Sequence, residues 1–196
     1  MKISRVSRKS RTSRKSRTSI SFFKKLKKKS MNYEIERKFL VVGEFKSKAY
    51  SHSHIEQGYF ESAPGKTIRV RIRDDKAYLT IKGPSDNEGL KRYEFETEVP
   101  IEDGHQLMKL CRPGRIDKTR WLVKSGSHTV EVDEFHGDNE GLVIAEIELK
   151  SEDEAYEKPD FLGKELTGDR RFYNSHLMRM PYCVWKNAFL KELSES

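Results

Sequence analysis

Residues 34–38, EIERK, place three ionisable side chains at every second position. Glu34, Glu36 and Lys38 would share one face of a β-strand, because successive side chains of a strand point to opposite faces. Carboxylates are oxygen ligands of the kind that Mg²⁺ takes, and a lysine ammonium attracts phosphate. The stretch therefore predicts either a charged strand face in water or one wall of a site that handles a metal ion and phosphate together.

The same spacing of charged residues recurs along the chain, with the signs sorted from stretch to stretch. The further sets on one face are Arg69, Arg71 and Arg73; Thr80 and Lys82; Glu94, Glu96 and Glu98; Lys118 and Arg120; Glu131 and Asp133; and Glu146 and Glu148. Most positions between them are apolar. An antiparallel sheet with one wet face alternates in the same way, so the pattern alone leaves open whether these charges face solvent or an interior.

Period-two alternation predicts eight strands, and these elements must position the charged faces. The predicted strands cover residues 33–42, 54–61, 66–73, 76–82, 90–99, 115–124, 127–135 and 142–150. Helices are predicted over 101–111, over 151–158 and within 170–190, and the SHSH stretch at 51–54 is predicted to be a loop. The fold class is therefore α+β and mainly β, and one coherent arrangement is an eight-stranded antiparallel barrel with a few outer helices.

A charged interior would make chemical demands on such a barrel. Clustered carboxylates could not all stay ionised without cations, and clustered Arg and Lys side chains would need anions. A divalent metal together with a polyanion such as a phosphate chain would satisfy both. The apolar faces would then point outward, where helices or the partner of a homodimer would cover them.

The net charge of +8 belongs to one end of the chain. Residues 1–30 hold 13 of the 39 Lys and Arg residues and no Asp or Glu, so residues 31–196 hold 26 basic and 31 acidic residues, a net charge of −5. We predict a disordered basic tail over 1–30 and a folded domain over 31–190. The tail would suit non-specific contact with nucleic acid or an anionic membrane surface; the alternative is that Met31 is the start of the chain.

Two cysteines, Cys111 and Cys183, form neither a disulfide framework nor a zinc site. No transmembrane or export segment is recognisable, so the sequence predicts a cytoplasmic protein. It contains no phosphate-binding glycine loop and no Ser–His–Asp pattern. Specific nucleic-acid recognition is not expected either, because the basic excess lies in the tail.

An ordered set of short motifs resembles the CYTH superfamily, the triphosphate tunnel metalloenzymes. The set runs EIERKF, QGYF, RVRIR, YLTIKG, EFETEV, DKTR, VEVDEF, AEIEL and GDRRFYN, and it spans roughly residues 31–180. The resemblance implies an eight-stranded antiparallel tunnel whose charged interior binds a triphosphate with a divalent metal, Mg²⁺ or Mn²⁺. It thereby favours the interior placement that the alternation left open.

The resemblance also implies roles for individual residues. The implied metal-associated acids are Glu34, Glu36, Glu146, Glu148 and Asp133. The implied phosphate-binding residues are Lys38, Arg69, Arg71, Arg73, Lys82, Arg120 and, from the C-terminal helical segment, Arg170 or, alternatively, Arg171. Glu94 and Glu96 match a further acidic pair of the tunnel. Lys118 and Tyr59 match the residues linked to hydrolysis. We expect them to position the attacking water; the alternative is that Lys118 acts as a general base.

Members of this family differ in their chemistry. The short bacterial type with these motifs is similar to the inorganic tripolyphosphatases, so the sequence predicts a hydrolase of a terminal phosphoanhydride in a small-molecule triphosphate. An adenylate cyclase that makes cyclic AMP from ATP is the second alternative. A non-catalytic sensor of polyphosphate or nucleotide is the third.

Overall fold

The computed structural model describes residues 33–86 and 90–195. The basic tail predicted over residues 1–30 lies outside the described residues, so that tail and the boundary at residue 31 stay predictions. No helix within the described ranges is long and apolar enough to cross a membrane.

Antiparallel strands dominate the fold, and all eight predicted strands form. They are β1 (Tyr33–Val41), β2 (Ala49–Tyr59), β3 (Thr67–Arg73), β4 (Lys76–Ser85), β5 (Lys91–Val99), β6 (Ile116–Ser125), β7 (His128–Phe135) and β8 (Val143–Glu148), with a short additional β9 (Leu162–Glu165). The helices are α1 (Ile101–Lys109), α2 (Asn174–Leu177) and α3 (Tyr182–Ser194). Short 3₁₀ segments lie at Lys46–Lys48, Gly137–Asn139 and Arg170–Phe172.

The strands close into a barrel, which confirms the predicted fold class. Hydrogen-bonded neighbours follow the order β5-β4-β3-β2-β6-β7-β8-β1, and β1 pairs back to β5. The closing seam between β1 and β5 places Glu34 directly opposite Arg92. β9 pairs with the far end of β1, outside the ring of eight. Because the ring is closed by antiparallel pairs, one set of alternating side chains points inward along every strand.

Two local predictions were wrong. β2 begins at Ala49, so the SHSH stretch is strand and not loop. The ring of His52 stacks on Trp121 of β6, with 4.7 Å between the centroids, and this contact gives the polar stretch a partner in the sheet. Residues 151–158 form a turn and an extended segment rather than a helix. This acidic segment lacks the apolar residues at helical spacing that would pack a helix against the barrel.

Apolar side chains cover two outer parts of the barrel. Helix α1 packs on β3 and β4 with Gly104 and Met108 buried. On the other side, Phe39 of β1, Val132 of β7 and Ala145 of β8 belong to a buried cluster that includes Phe161 from the segment after β8. This chain therefore covers much of its own outward-facing apolar surface.

One end of the barrel interior is apolar. Ile116, Phe135 and Ile144 continue the inward-facing positions of β6, β7 and β8, and they are buried in a cluster with Phe172 and Phe189 from the C-terminal segment. The helical C-terminal segment thus packs against this end of the barrel. The charged inward positions are confined to the remainder of the interior.

Candidate active site

A cavity of about 440 Å³ lies inside the barrel, lined mainly by charged side chains. Among the residues described, its basic lining consists of Lys38, Arg69, Arg71, Arg73, Lys82, Arg92 and Arg120. Its acidic lining consists of Glu34, Glu36, Glu94, Glu96, Glu131, Glu146 and Glu148. These are seven cations and seven anions, so the wall of the cavity is close to neutral when all of them are ionised. The charged faces therefore point inward.

Glu34 is the centre of one ion-pair network at the β1–β5 seam. The Lys82 ammonium donates to both of its carboxylate oxygens at 2.6 and 2.8 Å, and Arg92 Nε donates to Glu34 Oε2 at 2.9 Å. Lys82 also lies 2.9 Å from Glu94. Burial by itself would raise the pKa of Glu34, but the charges of Lys82 and Arg92 hold it well below its usual range.

A second network joins β1, β6, β7 and β8. Lys38 pairs with Glu146, and Arg120 donates to Glu146 at 2.9 Å. Arg120 also donates two hydrogen bonds of 2.7 Å to Asp133, and it pairs with Glu131. Although burial opposes ionisation, Lys38 and Arg120 hold the pKa of Glu146 well below its ordinary value. Glu146 is therefore a carboxylate shared by two cations.

Arginines of β3 form the most crowded positive part of the cavity. Arg71 Nε donates to the side-chain oxygen Oε1 of Gln57 at 3.0 Å, and Arg69 donates to Thr80 at 3.0 Å and to Glu96 at 3.2 Å. Burial and the neighbouring charges of Arg69 and Arg120 lower the pKa of Arg71 to about 10. The Nε of Arg69 is buried without a hydrogen-bond partner. Such a cluster offers unsatisfied donor capacity to an anion.

Arg73 differs from the other arginines of β3 in its contacts. It donates to the hydroxyl of Tyr78 at 2.8 Å, and its guanidinium lies over the Tyr78 ring at 4.9 Å from the centroid. Arg73 is thus held by a phenol, while Arg69 is held partly by carboxylates.

Glu148 and Glu36 are directly opposed residues of β8 and β1. Like charges in directly opposed positions repel each other. Burial, followed by repulsion from Glu131, Glu34, Glu36 and Glu94, raises the pKa of Glu148 to about 7. The pKa of Glu36 is raised as well, by burial and by the nearby Glu146 and Glu34, although Lys38 opposes this shift. A bound cation would relieve this repulsion.

The donor chemistry of this pair fits the divalent metal that the sequence resemblance implies. Hard cations bind carboxylate oxygens, and Mg²⁺ commonly uses one or two protein carboxylates together with substrate phosphate oxygens. Within the described ranges, no three His, Cys, Asp or Glu side chains already form a compact metal-binding group. The protein carboxylates therefore fit a metal that phosphate oxygens help to hold, rather than a complete protein cage.

The predicted catalytic pair occupies two different environments. Tyr59 lines the cavity, and its hydroxyl lies 3.4 Å from the Gln57 side-chain nitrogen. Burial raises the pKa of this phenol. Lys118 is fully buried and pairs with Asp133, and neither residue is part of the cavity lining. Burial, opposed by Asp133, lowers the pKa of Lys118 to about 7.

The C-terminal segment reaches the cavity with residues other than the two predicted alternatives, Arg170 and Arg171. Tyr173, Asn174 and Ser175 line the cavity. Arg170 is exposed and does not belong to the lining. Its neighbour Arg171 is bonded to Asp169 and Glu192. Arg171 is also absent from the lining, so the predicted phosphate contact of Arg170 or Arg171 has no support in the position of either residue.

Sequence reasoning overlooked Arg92 and Glu131 as site residues. Both obey the alternation that identified the others: Arg92 shares a strand face with Glu94, and Glu131 shares one with Asp133. The signal was present in the sequence. What was missing was the knowledge that β5 closes the barrel against β1, which brings Arg92 to Glu34.

The fold and the cavity define a class of protein: a closed antiparallel barrel whose interior pairs carboxylates with Lys and Arg side chains suited to bind phosphate. The CYTH domain model matches residues 32–175. The chain therefore belongs to the CYTH domain family.

Named relatives support this membership. The chain is 46% identical over 158 residues to a protein of Acetivibrio thermocellus named inorganic triphosphatase, covering 80% of this chain and 99% of the relative. It is 32% identical over 149 residues to an inorganic triphosphatase of Nitrosomonas europaea, covering 74% of this chain and 95% of the relative.

Solved structures agree with the fold. The crystal structure of an inorganic triphosphatase superposes with a TM-score of 0.55 at 28% identity, over 74% of this chain and 93% of the other. A protein of Pyrococcus horikoshii superposes with a TM-score of 0.51 at 28% identity, over 61% of this chain and 79% of the other.

Proposed function

We propose that this protein is a triphosphatase that hydrolyses the terminal phosphoanhydride of inorganic triphosphate. The observation that carries the proposal is the cavity inside the barrel, which is lined by seven basic and seven acidic side chains. Its volume of about 440 Å³ falls in the range of roughly 300 to 1,000 Å³ that is typical of small-molecule sites. The relatives named inorganic triphosphatase, which match along nearly their whole length, support the same substrate.

The balanced charge of the cavity is the reason to expect metal dependence. A triphosphate chain carries several negative charges, and most of the cavity cations already have carboxylate partners. Binding the anion alone would leave those carboxylates without countercharge at low dielectric. Divalent cations that enter with the anion would restore the balance.

We propose Mg²⁺ or Mn²⁺ as the metal and Glu34, Glu36 and Glu148 as its chief protein ligands. Glu146 and Asp133 remain predicted metal-associated acids, although in this structure each is held by Arg120 together with a lysine. When bound, the metal would supply charge neutralisation of the phosphate oxygens and of the leaving group.

The basic residues of the cavity would bind and orient the phosphate chain. Arg69 and Arg71 present planar guanidinium groups, which make two-point contacts with phosphate, while Lys38 and Lys82 act as point charges. We assign the same role to Arg73 and Arg120. Glu94 and Glu96 would hold Lys82 and Arg69 in place, at 2.9 and 3.2 Å. Enclosure by the barrel strengthens all of these interactions because little water screens them.

We propose Tyr59 and Lys118 as the residues that prepare the attacking water. Tyr59 can contact it directly, because this residue lines the cavity. Lys118 does not line the cavity. It pairs with Asp133, which in turn accepts from Arg120, so in the described conformation Lys118 would act by fixing those two side chains. A role for Lys118 in direct contact with water would require this ion pair to open.

Two finer statements complete the proposal. A homodimer is proposed from the exposed apolar side chains that remain on the outer surface, among them Ile81, Val184 and Leu190. A cytoplasmic location is proposed because Cys111 and Cys183 are free thiols, as a reducing compartment allows.

A substrate panel tests the proposed function. Triphosphate, ATP, thiamine triphosphate and long polyphosphate would each be offered with Mg²⁺ or Mn²⁺, while phosphate release and cyclic AMP are measured. We expect phosphate from triphosphate at the highest kcat/KM and no cyclic AMP from ATP. Cyclic AMP formation would instead identify a cyclase, and tight binding without turnover under both metals would identify a sensor.

A further inference from the structure

We infer that Arg92 is an exchangeable counterion, which competes with divalent cations for Glu34 and Glu36 and serves a phosphate group of the substrate when it is displaced. This inference rests on the proposed function and assigns a role to a residue that the sequence motifs did not mark. It explains how a cavity with balanced charge can take up metal and triphosphate together.

The contacts of Arg92 place it on the carboxylates proposed for the metal. Its Nε donates to Glu34 Oε2 at 2.9 Å, and its Nη2 lies 3.6 Å from Glu36 Oε1. Arg92 and Glu34 are directly opposed across the β1–β5 seam, so the backbone holds the two side chains within reach. Arg92 and a metal ion would therefore use the same carboxylate oxygens.

The other two cations near these carboxylates each have an acidic partner besides Glu34 and Glu36. Lys82 has a second acidic partner in Glu94, and Lys38 has one in Glu146. In the described part of the chain, the ion pairs of Arg92 go to Glu34 and Glu36. Its side chain is also 22% exposed, against 7% for Lys82 and 5% for Lys38. Arg92 is thus the cation that can leave with the least loss of other contacts.

Displacement of Arg92 by a metal ion would leave neither the carboxylates nor the guanidinium without an oppositely charged partner. Metal at Glu34 and Glu36 would neutralise the carboxylates that Arg92 leaves. The guanidinium lines the cavity and would then be available for a two-point contact with phosphate. Metal would therefore raise the affinity for triphosphate, and triphosphate would raise the affinity for metal by the same factor, since binding linkage is reciprocal.

The test separates metal binding from turnover. Mn²⁺ alone would be titrated calorimetrically into the full chain at pH 8 and into Arg92→Ala and Arg92→Gln. The titrations would be repeated with imidotriphosphate, a non-hydrolysable analogue of triphosphate. Arg73→Ala is the matched control, because Arg73 lines the same cavity but is held by the phenol of Tyr78.

The inference predicts a higher affinity for Mn²⁺ alone and a weaker cooperativity between Mn²⁺ and the analogue. Without the analogue, both Arg92 variants should bind Mn²⁺ about tenfold more tightly, because a competing cation is gone. The cooperativity between Mn²⁺ and analogue should fall by about tenfold, a typical size for coupling between two ligands. Arg73→Ala should weaken analogue binding and leave the affinity for Mn²⁺ alone unchanged.

Unchanged or weaker Mn²⁺ binding by both Arg92 variants would overturn the inference. So would tighter Mn²⁺ binding by Arg73→Ala of the same size, because this would show a general effect of cavity charge. Failure of the proposed function has a different signature, the absence of phosphate release from triphosphate by the unmodified protein. The Mn²⁺ titrations contain no substrate and therefore report on Arg92 independently.

Discussion

Glu148 and Lys118 have pKa values moved in opposite directions by the same cause, the loss of water around a charge. The pKa of the Glu148 carboxyl rises to about 7, and the pKa of the Lys118 ammonium falls to about 7. Both shifts favour the neutral form, as burial does. Strongly shifted pKa values concentrate at functional sites, so both residues are suitable places to test the mechanism.

Replacement of Glu148 by Ala should abolish metal-dependent turnover and leave the fold intact. The carboxylate faces the cavity, and removing it relieves repulsion rather than breaking a core contact. Phosphate release from triphosphate with Mn²⁺ should fall by about a hundredfold or more, as expected when a group acting in the transition state is lost. Near-normal activity with an unchanged circular dichroism spectrum would remove Glu148 from the metal site.

Stability of the metal-free protein should depend on pH through Glu148. Its pKa is about 7 in the folded chain, against an ordinary value of 4.5. Between these values the folded state binds more protons than the unfolded state, so the contribution of Glu148 to stability decreases as pH rises. Urea unfolding in chelator should therefore show Glu148→Gln gaining on the parent between pH 5 and pH 8. A constant difference between the two proteins across that range would contradict the shift.

Replacement of Lys118 by Ala should reduce kcat more than it weakens triphosphate binding. Binding is shared among the basic residues that line the cavity, whereas Lys118 fixes Asp133 and through it Arg120. We expect kcat to fall by about a hundredfold, the lower range for residues that assist proton transfer or orient water. Equal losses in kcat and in affinity would leave Lys118 with a binding role only. A melting curve serves as the control, since the variant leaves a cavity beside Asp133.

The packing of helix α1 against the barrel depends on a single residue, Gly104. Pro100 precedes the helix, and Glu102 and Asp103 lie in its first turn, where acids interact favourably with the helix dipole. Gly104 allows its backbone to approach β4. A Cβ atom built on Gly104 would lie 2.3 Å from the Cβ of Ala77. The contact between helix and barrel wall at this point thus depends on the absence of one methyl group.

Gly104→Ala should destabilise the protein although alanine is the better helix former. Helix propensity would add about 1 kcal/mol, but overpacking against Ala77 should cost more, for a net loss of about 1–2 kcal/mol in the free energy of unfolding. The double variant Gly104→Ala, Ala77→Gly should recover part of this loss because the clash is removed. A complete cycle with Ala77→Gly alone, measured by urea unfolding, gives the coupling energy. A coupling energy near zero would mean that the helix moves aside at no cost.

At the scale of the whole molecule, the basic and acidic side chains of the cavity are equal in number. We therefore expect the stability of the fold to rise most when the metal ion and the phosphate chain bind together. Imidotriphosphate and Mg²⁺ together should raise the melting temperature well above the sum of their separate effects. At a hundredfold excess over Kd, ligand binding adds about 2.7 kcal/mol to stability. For a chain of this size, that corresponds to a shift of about 5–10 °C.

The melting temperature would be measured with each ligand alone, with both ligands, and with both ligands plus chelator. Chelator should cancel the joint effect. A full shift with imidotriphosphate alone would show that the cavity cations are not tied to their carboxylates, contrary to the charge balance.

The sequence by itself determined which side chains share one face of each strand. Alternation is a local property of extended backbone, so Glu34, Glu36 and Lys38 had to share a face wherever β1 lay. The same logic covered the basic face of β3 and the acidic faces of β5 and β8. The ordered motifs then selected the interior over the solvent for those faces.

Only the tertiary structure decided which charges meet and where the charged interior ends. Arg92 reaches Glu34 across 58 positions of sequence, and Lys38 reaches Glu146 across 108, through strand pairings that no local pattern specifies. The exposed position of Arg170 and the apolar end formed by Phe135 and Phe172 have the same origin. Register and barrel closure result from many weak non-local contacts acting together, whereas alternation follows from the geometry of a single strand.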